Sequence, residues 1–217
     1  ITSQGTSRYG LSLRSCTNVT VGDCILTNSS SANIYIADGW NCRVRDSILE
    51  GGEDGIYSTS NGCTVTNCAI SGHENIGAEL WGEGTNITGN LFMDNHNGGL
   101  TMSIDRYDEN MTHVMNNQFL NDGLARFWNL YPERVTFHNN TVNGKPLRVI
   151  MDEDDVEVYA SNLGQLFIVN SRRVDVSFGR FFNTTTGVFM YGCSDCSVNQ
   201  SEFKSNRLSG VYVGQGA

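Results

Sequence analysis

The sequence predicts an all-β fold, a parallel β-helix solenoid of about nine coils with ~22 residues per coil. Three observations predict it. An apolar residue recurs at Val21, Val44, Val65, Ile87, Val114, Phe137, Val158, Val176 and Val198, at intervals of 23, 21, 22, 27, 23, 21, 18 and 22 residues. Three residues after each comes a small or amide residue, and two further on a large apolar one: Cys24 and Leu26, Asn90 and Phe92, Ser201 and Phe203. About ten residues before each lies an alternating apolar pair, as in Leu11/Leu13, Ile34/Ile36, Leu166/Ile168 and Val188/Met190.

Each coil therefore holds three short strands: the alternating pair, the segment around the recurrent Val, and the segment around the large apolar residue. Gly, Asn, Asp and Ser separate them. No copy shows helical periodicity, and none carries a leucine-rich frame. Alternate side chains of each strand point inward, and equivalent residues stack about 4.8 Å apart, so nine coils make a rod of roughly 40 Å. The small and amide column reads as an interior ladder at a tight corner, where amides hydrogen-bond along the stack.

The chain reads as a single domain over 1–217 and as a segment of a longer one. Residues 1–7 have the pattern of the tail of a preceding coil, and Gly210-Val211-Tyr212-Val213 that of the first strand of a following one. Charged residues make up 17% and the net charge is −9, which argues against nucleic acid and against an anionic membrane surface as partners. No apolar run approaches a membrane span, so membrane insertion of this segment is not expected. Seven Asn-x-Ser/Thr sequons, at Asn18, Asn28, Asn86, Asn110, Asn139, Asn183 and Asn199, lean towards a glycosylated extracellular or cell-surface protein. They also fall naturally into turns that are rich in Asn.

The seven cysteines fit the repeat better than metal chemistry. Cys42, Cys63 and Cys196 share one column, and Cys24 and Cys68 share the corner column with Ser47. Stacked Cys42 and Cys63 have a spacing that permits a disulfide in principle. Cys193-Ser-Asp-Cys196 is a lone CxxC with no second pair at zinc-site spacing.

The cadence Gly-Ile-x6-Asn-x2-Val-x2-Asn/Cys-x-Ile resembles the right-handed parallel β-helix repeats of the pectin-lyase-like superfamily. More narrowly it is similar to the carbohydrate-binding and sugar-hydrolase module that includes the NosD-type proteins. Asn139-Asn-Thr-Val-Asn-Gly-Lys-Pro-Leu147, Gly164-Gln-Leu-Phe-Ile-Val-Asn170 and Val174-Asp-Val-Ser-Phe178 carry the resemblance to surface proteins of archaea. The resemblance implies a right-handed coil and leaves activity open, since that frame hosts lyases, hydrolases, epimerases, adhesins and structural proteins. NosD relatives are linked with copper delivery, but no His/Met/Cys cluster here carries that over.

Chemistry is expected where the repeat is broken. The spans Leu100 to Val114 and Ala125 to Phe137 are swollen, and alternation turns Tyr35, Tyr57, Glu79, Thr101, Arg126, Arg148, Phe167, Phe189 and Tyr212 outward in register. Trp81 and Trp128 follow two residues after Glu79 and Arg126. Glu79, Trp81, Asp105, Arg106, Tyr107, Arg126, Trp128 and Tyr131 are thus expected on one face, where aromatic rings would stack on pyranose faces and guanidinium groups would pair with uronate carboxylates. Binding would rest on Trp81, Arg106, Tyr107, Trp128 and Tyr131. Any catalysis would draw on Glu79, Asp105 and Arg126. A stacked structural ladder is the competing account of outward aromatics. Glu53, Glu74 and His96, each nine residues after its recurrent apolar residue, form a polar stripe with the donor types for calcium or zinc, though solvated corner residues suffice to explain it. The acidic run Asp152-Glu-Asp-Asp155 is read in the same way.

No cofactor is required by the pattern, with calcium the one candidate. The functional expectation is a secreted or cell-surface module with a structural or adhesive role, joined to neighbouring copies or to further domains of its own chain. A polysaccharide-binding or carbohydrate-active protein using the Trp81/Trp128 face is the first alternative, and a NosD-like copper accessory protein the second.

Overall fold

The computed structural model describes residues 2–4, 7–103, 110–128 and 131–214. The coil frame is present as expected, with three strands per turn. One face is built from Tyr9–Arg14, the later parts of Ile25–Ala37 and Ile48–Ser58, then Ile76–Leu80, Gly98–Ser103 and Leu124–Trp128. A second is built from Thr20–Gly22, Arg43–Arg45, Thr64–Thr66, Asn86–Thr88, Thr112–Met115 and Val135–His138, and pairs Val21, Val44, Val65, Ile87, Val114 and Phe137 in one parallel register. The third carries Leu26, Leu49, Ile70, Phe92, Phe119 and Val142 in register. All of these except Phe137 are buried.

Two amide ladders close the interior corners. In the expected one, Asn90 Nδ2 donates to Asn117 Oδ1 and Asn117 Nδ2 to Asn140 Oδ1, both at 3.0 Å. The same amides also donate to the buried carbonyls of Val65 and Ile87. The second ladder stands eight residues after the recurrent apolar column, at His73, Asn95 and Asp122. The His73 N–H donates to Asn95 Oδ1, and Asn95 Nδ2 donates to Asp122 Oδ2 at 2.7 Å. Such pairing is what lets the side chains of Asn95 and Asp122 sit in the interior, His73 joining through its main-chain N–H alone. The corners themselves are left-handed, and Asn, Asp and Gly hold most of them because their short or absent side chains tolerate positive φ.

The nine repeats do not form one uninterrupted stack. After Val142 the chain makes a hairpin through Asn143 (φ 50) and Gly144 (φ 75), the left-handed pair that a tight type I′ turn demands. Thr141–Val142 and Lys145–Met151 then pair antiparallel, whereas every other strand pairing among the described residues is parallel. The Phe137 register consequently stops, and Val158, Val176 and Val198 begin a new one. A second core forms around Ile150, Val158, Leu166, Ile168, Val174, Val176, Phe181, Val188 and Met190.

This reversal corrects the outward row. Arg148 pairs with Leu166 rather than continuing from Arg126, so it leaves the row altogether. Phe167 and Phe189 do point away from their own coil, but they are buried and join the core cluster of the first stack. The sheet of Gln165–Val169 and Thr186–Tyr191 thus has apolar contacts on both faces, which explains its nearly continuous apolar run. Among the described residues no helix is long and apolar enough to cross a membrane.

Candidate functional site

On the outer face of the first stack a row of rings leads into a groove. Tyr9 stacks on Tyr35 at 4.4 Å and Tyr35 on Tyr57 at 5.7 Å, with the Arg14 guanidinium 4.7 Å from the Tyr35 ring centroid. This part of the row is the stabilising ladder weighed above. The same register continues through Glu79, Thr101 and Arg126. The small, buried Thr101 leaves a gap between the two charged side chains, which stand about 10 Å apart by coil spacing. That gap is a groove of ≈ 340 Å³ lined by Glu79, Trp81, Arg126, Asn75, Asn97 and Leu208, with Thr101 at its floor.

A β-bulge gives Arg126 its direction. Leu100 pairs with Leu124 but Thr101 pairs with Arg126, so Ala125 is the extra residue. A regular register would turn Arg126 inward; one inserted residue re-aims it into the groove. Trp81 is 37% exposed, and its indole lies beside the Glu79 carboxylate. Half-burial raises the Glu79 pKa, with the Asp54 charge adding to it and the indole contact opposing. Burial likewise raises Tyr57, helped by Glu79.

The groove wall is a short polar ladder. Asn97 Nδ2 donates to Asn75 Oδ1 at 2.8 Å, and Asn75 Nδ2 donates to Asp54 Oδ1 at 2.8 Å. The Ile76 N–H also donates to Asp54 Oδ1, and desolvation nonetheless raises the pKa of that buried carboxyl. Asp54, Asn75 and Asn97 all lie ten residues after the recurrent apolar residue, a column readable in the sequence that its reading passed over. Leu208 had no such signal, because it comes from the second stack.

Of the expected cluster, Glu79, Trp81 and Arg126 share this groove. Asp105, Arg106 and Tyr107 lie outside the described residues, as does the side chain of Trp128. Tyr131 is half-buried just before the 3-10 turn Pro132–Arg134 and is not among the residues lining the groove. Glu53 and Glu74 border one shallow surface depression, and Glu74 and His96 border another. Among the described residues no three His, Cys, Asp or Glu side chains are grouped to hold a metal ion, so the stripe is not gathered into a ligand set. The acidic run at Asp152–Asp155 is met by Arg173, which pairs with Asp154 and Asp155.

The seven cysteines are free thiols. Cys42 and Cys63 are buried, and burial pushes the Cys63 thiol up to about 12. Cys193 and Cys196 are partly buried and donate to backbone carbonyls, including those of Ile168 and Ser194. Six of the seven sequon asparagines are exposed and Asn86 is half-buried.

Residues 9–163 match the family described as a right-handed β-helix region. A crystal structure of pectate lyase Pel9A aligns with a TM-score of 0.40 and 10% identity, over 84% of this chain. The chain spans 61% of that structure's length. No curated protein matches the sequence.

Proposed function

Because the chain belongs to the family of right-handed β-helix regions, we propose that it is a glycan-binding, adhesive module of an extracellular or cell-surface assembly. It would hold part of an extended saccharide in the groove between Glu79 and Arg126. The observation that carries this reading is the convergence of one tryptophan, one carboxylate, one guanidinium and two amides on a single gap in the outer row. An indole face takes the apolar face of a pyranose, while the carboxylate, guanidinium and amides pair with hydroxyls.

Binding without turnover is the form we adopt. A glycosidase of the usual kind needs two carboxyl groups about 5–9.5 Å apart, and Glu79 is the carboxylate that the described groove lining offers. The exposed sequon asparagines support an extracellular setting.

The test is a titration of purified protein with cellohexaose and with oligogalacturonate, followed by tryptophan fluorescence and calorimetry. At least a tenfold loss of affinity in Trp81→Ala and in Arg126→Ala supports the groove. Unchanged affinity in both variants refutes it, and release of reducing or unsaturated sugar would replace the adhesive reading with an enzymatic one.

A further inference from the structure

The corner two residues after the recurrent apolar column is left-handed throughout the first stack. Asp23, Asp46, Asn67, Gly89, Asn116 and Asn139 hold it in the first stack, all residue types that accept positive φ. In the second stack the same position is Ala160, which opens a 3-10 turn, then Phe178 at φ 58 and Gln200 at φ 47. A bulky aromatic residue in this conformation is a genuine outlier, and such strain persists where something else over-determines it. Burial does not supply that reason, since Phe178 is 49% exposed.

What surrounds the ring is a second set of groups suited to a ligand. Tyr159, 70% exposed, lies against Phe178 with ring centroids 6.2 Å apart and planes 4° from parallel. Phe178 borders a surface depression, separate from the groove of the first stack, together with Arg180, Gln200, Ser201 and Glu202. Arg180 Nε and Glu202 Oε2 are 3.5 Å apart, so the rim presents both a guanidinium and a carboxylate at no net charge.

We propose that Tyr159 and Phe178 form an aromatic platform that binds a neutral pyranose ring, with Arg180, Glu202 and Gln200 pairing with its hydroxyls. The platform lies on the second stack and stands independently of the Glu79/Arg126 groove. The exposed part of this stacked pair provides an apolar surface for the axial-hydrogen face of a sugar. The charge-balanced rim favours hydroxyl groups, which both donate and accept, over a free uronate. Phe in place of Asn or Asp gives up backbone comfort for an exposed ring stacked on Tyr159.

The experiment uses the whole chain in a Trp81→Ala background, which silences the groove, with cellohexaose as the probe. Saturation-transfer NMR and a thermal melt are read on that protein and on the same protein carrying Phe178→Asn or Tyr159→Ala. Phe178→Asn installs the residue type that this corner favours, so the fold is kept while the ring is removed. The expected result is saturation transfer from the aromatic protons to cellohexaose, at least tenfold weaker binding in both variants, and a melting temperature in Phe178→Asn that is no lower than the parent's. Absence of binding in the Trp81→Ala protein, or binding that both variants leave unchanged, overturns the platform. Because the groove is tested by Trp81→Ala in the parent chain, failure here leaves that reading standing, and the reverse holds too.

Discussion

Gln165 and the main chain of Leu124 exchange two hydrogen bonds across the junction of the two stacks. The Leu124 N–H donates to Gln165 Oε1, and Gln165 Nε2 donates to the Leu124 carbonyl, each at 2.9 Å. The strand Leu124–Trp128 is the last of its face, and a buried glutamine amide supplies the peptide-like partner that a further coil would have provided. Gln165 Nε2 also donates to the Thr186 carbonyl, so one side chain ties the edge of the first stack to the sheet of the second.

Replacing Gln165 by Leu is therefore expected to cost about 3 kcal/mol, because it leaves a buried N–H and carbonyl of Leu124 unmet. Urea denaturation of the variant checks this. A loss under about 0.5 kcal/mol would mean that the two stacks do not depend on the junction.

The corner ladder gives a graded prediction. Asn117 accepts from Asn90 and donates to the Ile87 carbonyl and to Asn140. Asn117→Ala is expected to destabilise by about 2–4 kcal/mol, since several buried groups lose partners at once. Asn117→Ser should cost less, because Ser47 already shows a hydroxyl accepting the Cys24 N–H in this column. Equal costs for the two substitutions in chemical denaturation would show that volume, not hydrogen bonding, sets the requirement.

Asp122 makes stability depend on pH. Burial pushes its carboxyl up to about 7 against an ordinary 3.8, outweighing three N–H donors from Asn95 and Gly123. The folded state then holds a proton that the unfolded chain has released, so this contribution to stability is full below about pH 4 and is lost as pH rises through about 7. His73 runs the other way: burial lowers its pKa from 6.5 to about 4, outweighing the main chain of Leu49 and Gly51, which act to raise it. Its contribution is present above about 6.5 and is lost as pH falls through about 4. Asp122→Asn, which restores the amide found at Asn95 and Asn206, should remove the loss towards pH 7 and leave the acid limb. Thermal melts from pH 4 to 8 decide this; a variant curve parallel to the parent's would exclude Asp122 as the source.

Thiol reactivity should follow burial. Cys24, Cys42, Cys63 and Cys68 are buried, and burial pushes Cys63 to about 12 and Cys68 to about 11, so their thiolates are scarce at pH 8. Cys16, Cys193 and Cys196 are partly exposed. An aromatic disulfide reagent is expected to modify these three in the native protein and the buried four only after denaturation. Rapid native modification of Cys42 or Cys63, mapped by mass spectrometry, would contradict the packed column.

The sequence alone determined the coil. Its period, the inward Val and Phe columns and the Asn ladder are local, repeated constraints, and each copy states them again, so the register of Val21 to Phe137 and the outward alignment of Glu79 with Arg126 were legible before any coordinates. Even the passed-over column of Asp54, Asn75 and Asn97 was written at a fixed offset. What only the tertiary structure decided arises once and not in every coil. The hairpin at Asn143–Gly144 reverses the chain, and that one reversal takes Arg148 out of the outer row and buries Phe167 and Phe189 against the first core. It also sends Leu208 to the groove wall and gives Gln165 its partner. A repeat pattern specifies which residues stack on the next coil; it carries no term for where one stack meets another, because those contacts join residues of unrelated positions in the period.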